Sequence, residues 1–183
     1  DLETLPSPTL NGLMDDFLNE RYMPMIQTSR MCPYLCTFCC SGIRTGKLRA
    51  FPESQVKDEI GYIAERYKNY PHKMLYVTDD NFGILPRDPS IARYMRKMSD
   101  EVGYPKQTFC YFNKKLNRGV KECVLAFGDI NTGGLQIASQ SLSQEALKAS
   151  KRISLPESEI DIAVKWGNEN GLPVFTEFIF GLP

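Results

Sequence analysis

The stretch that decides the fold is residues 23–40, which read MPMIQTSRMCPYLCTFCC. Its first part, residues 23–29, is short and apolar, which predicts a β-strand. Four cysteines follow this strand within nine residues. A doubly wound nucleotide-binding sheet would need a glycine-rich phosphate loop at this point. The sequence contains no G-x-G-x-x-G, which argues against that fold. The cysteines after the first strand are therefore the candidate functional residues.

Strand-like and helical patterns alternate along the rest of the chain. Further strands are predicted at 73–78, 107–113, 134–139 and 174–180, and helices at 52–67, 88–102, 119–127, 143–151 and 157–170. The first helix has its apolar residues on one face, at positions Val56, Ile60, Ile63 and Tyr67. Asp88 is the expected N-cap of the second helix, and Gly171 is the expected C-cap of the last one.

The alternation of strands and helices indicates βαβ units and a parallel sheet. We expect an α/β fold that is a partial (β/α) TIM-type barrel, with parallel strands inside, helices outside, and truncation at the fifth strand. Barrels of this kind carry their chemistry at the carboxyl ends of the strands. Polar or sulfur residues do follow the predicted strands, namely the cysteines, then Asp79-Asp80-Asn81, then Asn113, then Gln140-Ser141.

The composition excludes several classes of protein. The 183 residues carry 22 basic and 22 acidic side chains, so the formal net charge is zero, and 42% of them are hydrophobic. This hydrophobic fraction supports a packed core and argues against disorder. A basic excess typical of nucleic-acid binding is absent, and no apolar run of about 18 residues could cross a membrane. We therefore expect a cytoplasmic protein without nucleic-acid or membrane partners.

The chain is divided by its pattern into two parts. Residues 1–22 contain prolines and precede the first strand, and they are expected to be a linker or N-terminal extension. Residues 23–183 are expected to form the core domain, which is predicted to be incomplete at its C-terminus because the sequence ends within an apolar stretch. Both ends are expected to be cuts made in a longer protein.

Cys32, Cys36 and Cys39 are spaced C-x3-C-x2-C. Three thiolates in one loop can bind three corners of a four-iron cluster and leave the fourth iron open. Structural zinc would need a second knuckle or two histidines, and the sequence has His72 alone. Spacing by itself leaves three interpretations open: an iron–sulfur site, a zinc-stabilised structural or binding domain, and inert thiols. Disulfides are disfavoured because the cysteines are clustered in a mid-sized chain.

Residues 28–39, TSRMCPYLCTFC, strongly resemble the signature loop C-x3-C-x-aromatic-C of the radical S-adenosylmethionine (radical SAM) superfamily, with Phe38 as the aromatic residue. Later segments match in order. Residues 77–82 resemble the second-strand motif of the cobalamin-linked branch, residues 140–142 with Arg152 resemble the fourth-strand segment, and residues 177–183 resemble the fifth-strand motif. The resemblance covers essentially the whole chain.

This resemblance implies a definite chemistry. A [4Fe-4S] cluster held by Cys32, Cys36 and Cys39 would cleave S-adenosylmethionine reductively to a 5'-deoxyadenosyl radical. The full protein is expected to be a cobalamin-dependent methyltransferase or a related radical enzyme, with cobalamin bound outside this chain. A small-molecule or peptide substrate and a reductant such as flavodoxin or ferredoxin are the implied partners. The alternatives are the zinc-stabilised domain and a simple iron–sulfur electron carrier.

The resemblance also implies which residues contact S-adenosylmethionine. The expected set is Phe38, Asp80, Asn81, Ser139, Gln140, Ser141, Arg152 and Ile179. Asp80 or Asn81 would accept a hydrogen bond from the ammonium group of S-adenosylmethionine. Arg152 would pair with the carboxylate of the cofactor, and the alternative is that it forms a surface pair with Lys151. Met31 departs from the glycine common in relatives. Cys40 is expected to be a packed thiol, and Cys110 and Cys123 are expected to behave as small hydrophobic residues.

Overall fold

The computed structural model describes residues 2–41, 47–71, 74–153 and 155–182. His72 lies outside these residues. The strands are β1 (Met25–Ile26), β2 (Ser29–Arg30), β3 (Arg49–Ala50), β4 (Met74–Phe82), β5 (Gln107–Phe112), β6 (Leu135–Gln140) and β7 (Val174–Phe178). The α-helices are α1 (Glu53–Tyr67), α2 (Asp88–Glu101), α3 (Arg118–Phe127), α4 (Gln144–Ala149) and α5 (Glu157–Glu169). Short 3-10 helices lie at Leu2–Thr4, Asp15–Phe17 and Gly128–Ile130.

Two parallel sheets form the centre of the molecule. The first sheet has the order β1-β4-β5, and the second pairs β6 with β7. Thr108 of β5 and Asn131 form an isolated parallel bridge at the junction, and no continuous ladder joins β5 to β6 within the described ranges. The mixed α/β architecture with parallel strands is therefore confirmed. The predicted partial barrel is not confirmed, because the strands of the described residues fall into separate sheets.

The first predicted strand, residues 23–29, is divided in the structure. Its centre, β1, runs parallel to β4, and the next pair of residues, β2, turns away to form an antiparallel ladder with β3. This small ladder flanks the cysteine loop, because β2 ends at Arg30 and β3 begins at Arg49. The sequence pattern did not predict β3, since two residues are too few to show a period.

The second predicted strand is longer than expected. Residues 79–81 were predicted to follow it, but they belong to β4, which continues to Phe82 with an irregular register after Val77. The last part of the strand therefore carries polar side chains towards the site while it still pairs with β5 at Phe112.

The helices cover the first sheet as the apolar periodicity predicted. Val56, Ile60, Ile63 and Tyr67 of α1 are all buried. One predicted cap is wrong. Arg87 is the N-cap residue of α2, and the carboxylate of Asp88 instead accepts hydrogen bonds from the amides of Gly83 and Leu85. The predicted glycine cap of α5 is confirmed, because Gly171 has φ +67° and its amide donates to the carbonyl of Asn168 at 3.1 Å.

Close backbone packing fixes the helix that follows β5. A Cβ atom on Gly119, in the first turn of α3, would lie 2.4 Å from the carbonyl oxygen of Gly83. Gly83 itself has φ +87° and its own Cβ would lie 2.9 Å from Val120. Only glycines allow this approach between α3 and the turn after β4. Among the helices in the described ranges, none has the length and apolar character needed to span a bilayer.

Candidate functional site

A cleft opens at the carboxyl ends of the parallel strands, next to the cysteine loop. Its volume is about 870 Å³, including the part that is open to solvent. The residues that line it come from the loop, from the ends of four strands and from the segment after α4, and they are Cys32, Tyr34, Leu35, Cys36, Phe38, Cys39, Ser41, Asp80, Asn81, Tyr111, Phe112, Lys114, Gln136, Ala138, Gln140, Arg152 and Glu177. The structure thus brings the three predicted cysteines to one cleft.

The cysteine loop has little regular structure of its own, so contacts with its neighbours hold it. The amide of Thr37 donates to the carbonyl of Ser150 at 3.0 Å, which ties the loop to the end of α4. The amide of Cys39 donates to the carbonyl of Cys36 at 3.1 Å, which forms a tight turn. Cys36 is buried, whereas Cys32 and Cys39 are partly exposed to the cleft.

Two sulfur atoms have polar partners that suit thiolate ligands. The side-chain amide of Asn81 donates to Sγ of Cys32 at 3.0 Å, and the guanidinium of Arg152 lies 3.7 Å from Sγ of Cys36. N–H donors and positive charge at sulfur stabilise the anionic thiolate that metals require. A set of three thiols with such donors fits an iron–sulfur cluster, for which cysteine thiolates are the usual ligands.

The described residues contain no group of three His, Cys, Asp or Glu side chains arranged to hold one metal ion. This finding concerns a single ion held between three side chains. Cys40 was predicted to be packed, and that prediction is wrong, because its side chain is exposed. It lines a different cleft, together with Arg30 and Arg49. Cys110 and Cys123 are buried as predicted, and burial raises the pKa of both thiols.

Asp79 has a structural position beneath the loop. Its carboxylate accepts bonds from the amide and hydroxyl of Thr28 at 2.6 Å each, and from the amide and hydroxyl of Ser29 at 3.2 and 2.7 Å. Arg87 extends this network by donating to the carbonyls of Thr28 and Phe51 at 2.6 and 2.7 Å. Asp79 is 2% exposed, and each of its two carboxylate oxygens accepts two of these bonds. It anchors the strand that leads into the cysteine loop.

Four of the residues predicted to contact the cofactor have polar groups in the cleft. Asp80 is exposed and accepts a bond from the hydroxyl of Ser41 at 3.0 Å. Asn81 contacts Cys32, as described above. Gln140 is buried at the end of β6 with φ +67°. Arg152 is partly buried and its guanidinium also donates to the carbonyl of Ala138, so it is not a member of a surface pair with Lys151.

Phe38 also lines the cleft, but three predicted residues do not. The hydroxyls of Ser139 and Thr176 form a hydrogen bond at 3.1 Å, which turns Ser139 towards β7. The hydroxyl of Ser141 accepts from the amide of Ser143 at 3.1 Å, at the start of α4. Ile179 is 37% exposed, and its amide donates to the carbonyl of Gln140 at 2.8 Å. Roles for these three side chains in binding stay predictions.

Sequence reasoning missed several cleft residues, among them Tyr34, Lys114 and Glu177. Lys114 is 7% exposed and burial lowers its pKa to about 8. Burial raises the pKa of Tyr34, whose hydroxyl donates to the side chain of Asn113 at 2.6 Å. The position of Lys114 just after β5 was the available signal, because residues at strand ends line the site in parallel α/β folds.

Parallel strands with a cysteine-lined cleft at their carboxyl ends define an α/β protein with a candidate thiolate metal centre. A scan of protein-family models finds no match. The sequence is 32% identical over 187 residues, 97% of this chain, to the cobalamin-dependent radical SAM methyltransferase TokK of Streptomyces tokunonensis. It is 34% identical, again over 97% of this chain, to the 2-(S-pantetheinyl)-carbapenam-3-carboxylate methyltransferase of Streptantibioticus cattleyicolor.

A solved structure shares the fold. The cobalamin-dependent S-adenosylmethionine radical enzyme OxsB, in a structure with aqua-cobalamin bound, matches 96% of this chain with a TM-score of 0.59 and 20% identity. Over nearly its whole length the chain is related to cobalamin-dependent radical SAM enzymes, so the predicted resemblance is confirmed. The relatives are named as enzymes, so the prediction of an enzyme is confirmed as well. The chain spans about a quarter of these proteins, 27% of each of the two methyltransferases and 26% of OxsB.

Proposed function

We propose that this chain is the core of a radical SAM enzyme in which Cys32, Cys36 and Cys39 bind a [4Fe-4S] cluster. The observation that carries the proposal is that all three thiols reach one cleft from a single loop, with N–H donors at the sulfurs of Cys32 and Cys36. When bound, the cluster supplies the electron that splits the sulfonium of S-adenosylmethionine into methionine and a 5'-deoxyadenosyl radical. Cys40 does not take part, because it faces another cleft.

The same cleft is the proposed site of S-adenosylmethionine. Asp80 is exposed at one side and suits the ammonium group, while Arg152 lies beside Cys36 and suits the carboxylate. Gln140 of β6 and Glu177 of β7 also line the cleft, and they suit the ribose hydroxyls. The proposal therefore places the amino-acid part of the cofactor near the loop and its nucleoside part near β6 and β7.

Apolar side chains of the cleft would keep water from the reacting carbon. Leu35, Phe38 and Phe112 line it beside the polar groups. A radical intermediate needs such exclusion, since water and stray hydrogen donors would consume it. We propose that the five parallel strands form the wall of a partial (β/α) barrel, because the sheets follow one another in chain order and an isolated parallel bridge joins Thr108 of β5 to Asn131, shortly before β6.

The reaction of the whole protein is proposed from its relatives. Two of them are named methyltransferases, and TokK and OxsB are described as cobalamin-dependent. We infer methyl transfer to a small-molecule or peptide substrate, with cobalamin bound outside these 183 residues and with flavodoxin or ferredoxin as the reductant. Equilibrium dialysis with hydroxocobalamin tests this division, and stoichiometric retention of the corrin by this chain would contradict it.

Anaerobic reconstitution with iron and sulfide tests the cluster. The wild type and Cys40→Ser are expected to gain a brown chromophore and about four irons, whereas Cys36→Ala is expected to lose both. A dithionite-reduced sample with S-adenosylmethionine should then release 5'-deoxyadenosine. Zinc in place of iron would support a structural domain, and a cluster that leaves the cofactor intact would support an electron carrier.

A binding titration tests the proposed cofactor site. Asp80→Ala should weaken S-adenosylmethionine binding by about 10-fold to 100-fold, the range for one hydrogen bond to a charged group. Glu145→Ala, an exposed change in the first turn of α4, is the matched control and should leave the affinity unchanged. Equal affinities in Asp80→Ala and in the wild type, with iron content equal, would remove Asp80 from the site.

A further inference from the structure

Lys114 lies two residues after the end of β5, against the cysteine loop, in an unusual setting for a lysine. It is 7% exposed, and its ammonium donates to the carbonyl of Ile153 at 3.0 Å. The same ammonium lies 4.0 Å from the centre of the Tyr34 ring, which is cation–π distance. Lys114 forms no ion pair with a carboxylate among the described residues, whereas its neighbour Lys115 approaches Glu159 at 4.0 Å.

These contacts connect two segments that are far apart in sequence. Tyr34 belongs to the cysteine loop, between Cys32 and Cys36, and Ile153 follows Arg152 in the segment after α4. The hydroxyl of Tyr34 donates to the side chain of Asn113 at 2.6 Å, and Asn113 is 4% exposed. Lys114 and its neighbour Asn113 therefore hold the middle of the loop through the ring and the hydroxyl of one tyrosine.

The position of Lys114 also brings a positive charge to the cleft of the cysteine loop. Lys114 lines the same cleft as Cys32, Cys36 and Arg152. The guanidinium of Arg152 lies 3.7 Å from Sγ of Cys36, so two basic side chains border the cleft that the thiols of this loop reach.

We propose that Lys114 is a positioning residue, which fastens the cysteine loop through Tyr34 and Ile153 and places a positive charge beside Cys32 and Cys36. This inference rests on the proposed function in one respect, since the charge acts on the cluster that these thiolates would hold. A nearby cation favours the more negative, reduced state of a cluster, so Lys114 raises its reduction potential. Its fastening role does not depend on the cluster.

Hydrogen–deuterium exchange of residues 32–41 tests the fastening role in the protein without iron. Lys114→Met and Tyr34→Phe should each speed exchange in this loop by about tenfold, the factor expected for the loss of one buried hydrogen bond. Lys115→Met is the matched control, because it removes a lysine that is exposed and reaches only Glu159. Exchange in Lys114→Met equal to that in Lys115→Met would overturn the inference.

The reduction potential of the reconstituted cluster tests the charge. Lys114→Met should shift the reduction equilibrium towards the oxidised state by about tenfold, which is 59 mV for one electron. Tyr34→Phe and Lys115→Met should keep the wild-type potential, and Lys114→Arg should keep it as well. An unchanged potential in Lys114→Met would overturn the role of the charge. Absence of iron in the wild type would instead overturn the proposed function, and exchange would still decide the fastening role.

Discussion

Two strands of the parallel sheets, β4 and β7, differ in how deeply they are buried. In β4 of the first sheet, Leu75, Val77 and Phe82 are completely shielded from solvent. In β7 of the second sheet, Phe175 is 40% exposed and Phe178 is 56% exposed. The strand β4 therefore contributes much more to the apolar core than β7 does. Both strands also carry polar side chains that line the cleft, so the site draws on both sheets.

The largest expected effect is on the core of the first sheet. The Phe82 ring stacks on Phe127 with centroids 5.9 Å apart. Phe82→Ala should lower the free energy of unfolding by about 4 kcal/mol, because it removes buried surface and leaves a cavity. Phe178→Ala in the second sheet should change it by less than about 0.5 kcal/mol. Urea denaturation measures both, and similar losses in the two variants would break the contrast between the sheets.

Two adjacent carboxylates of β4 sharpen the contrast within a single strand. Asp79→Asn should cost about 3 kcal/mol of stability. The NH2 group of asparagine cannot accept the bonds that one carboxylate oxygen receives from the Thr28 and Ser29 hydroxyls. Asp80→Asn should leave thermal unfolding almost unchanged, because this side chain is exposed. Calorimetry checks both variants, and a large loss in Asp80→Asn alone would reverse the assignment of structural and cleft roles.

The pH dependence of stability should come from a carboxylate beneath the first sheet. Burial raises the pKa of Asp88 to about 6 from the ordinary 3.8. Between these values the folded state binds more protons than the unfolded state, so stability falls as pH rises from about 4 to 6. This difference between the two pKa values corresponds to roughly 3 kcal/mol of stability as an upper value.

Asp88→Asn isolates this contribution. Both accepted bonds reach one oxygen of Asp88, and the other oxygen has no partner, so an amide can keep the two bonds without the charge. The variant should gain about 2 kcal/mol relative to the wild type at pH 7 and little at pH 4. Urea titrations at the two pH values provide the measurement. A difference between the two proteins that does not change with pH would contradict the role of Asp88.

The smallest expected effect lies in the second sheet. The hydroxyl of Thr176 on β7 donates to the carbonyl of Ile137 on β6. Thr176→Val should cost only about 0.5 kcal/mol, since the strand is exposed and water can replace the lost donor. Thermal unfolding of Thr176→Val and Phe82→Ala, measured side by side, compares the two losses of stability. A loss as large as that in Phe82→Ala would show that β7 is part of the core.

Apolar periodicity was enough to predict the helices and most strands. Val56, Ile60, Ile63 and Tyr67 of α1 share a face because one side of a long helix must bury against the sheet. Strand ends and caps were harder to predict. Asp79 was predicted to follow the strand because it is charged. In the structure it lies inside β4, where its carboxylate accepts four hydrogen bonds from Thr28 and Ser29. Local sequence does not show partners that are about fifty residues away.

The candidate site was predictable where residues have a specific spacing. The C-x3-C-x2-C spacing of Cys32, Cys36 and Cys39 indicated one loop, and the structure brings them to one cleft. Lys114 has no such spacing, because its importance arises from Tyr34 and Ile153, which reach it only through the fold. Long-range contacts of this kind depend on how loops pack after the strands have paired.

Gln140 shows what the cleft costs the protein. Its φ of +67° is a conformation that a residue with a side chain adopts at a penalty of about 1 kcal/mol, and that glycine adopts freely. Selection for stability alone would therefore favour glycine at this position. Glycine would also remove an amide from the cleft. If related proteins retain glutamine at this position, selection acts there on activity, at the expense of thermal stability.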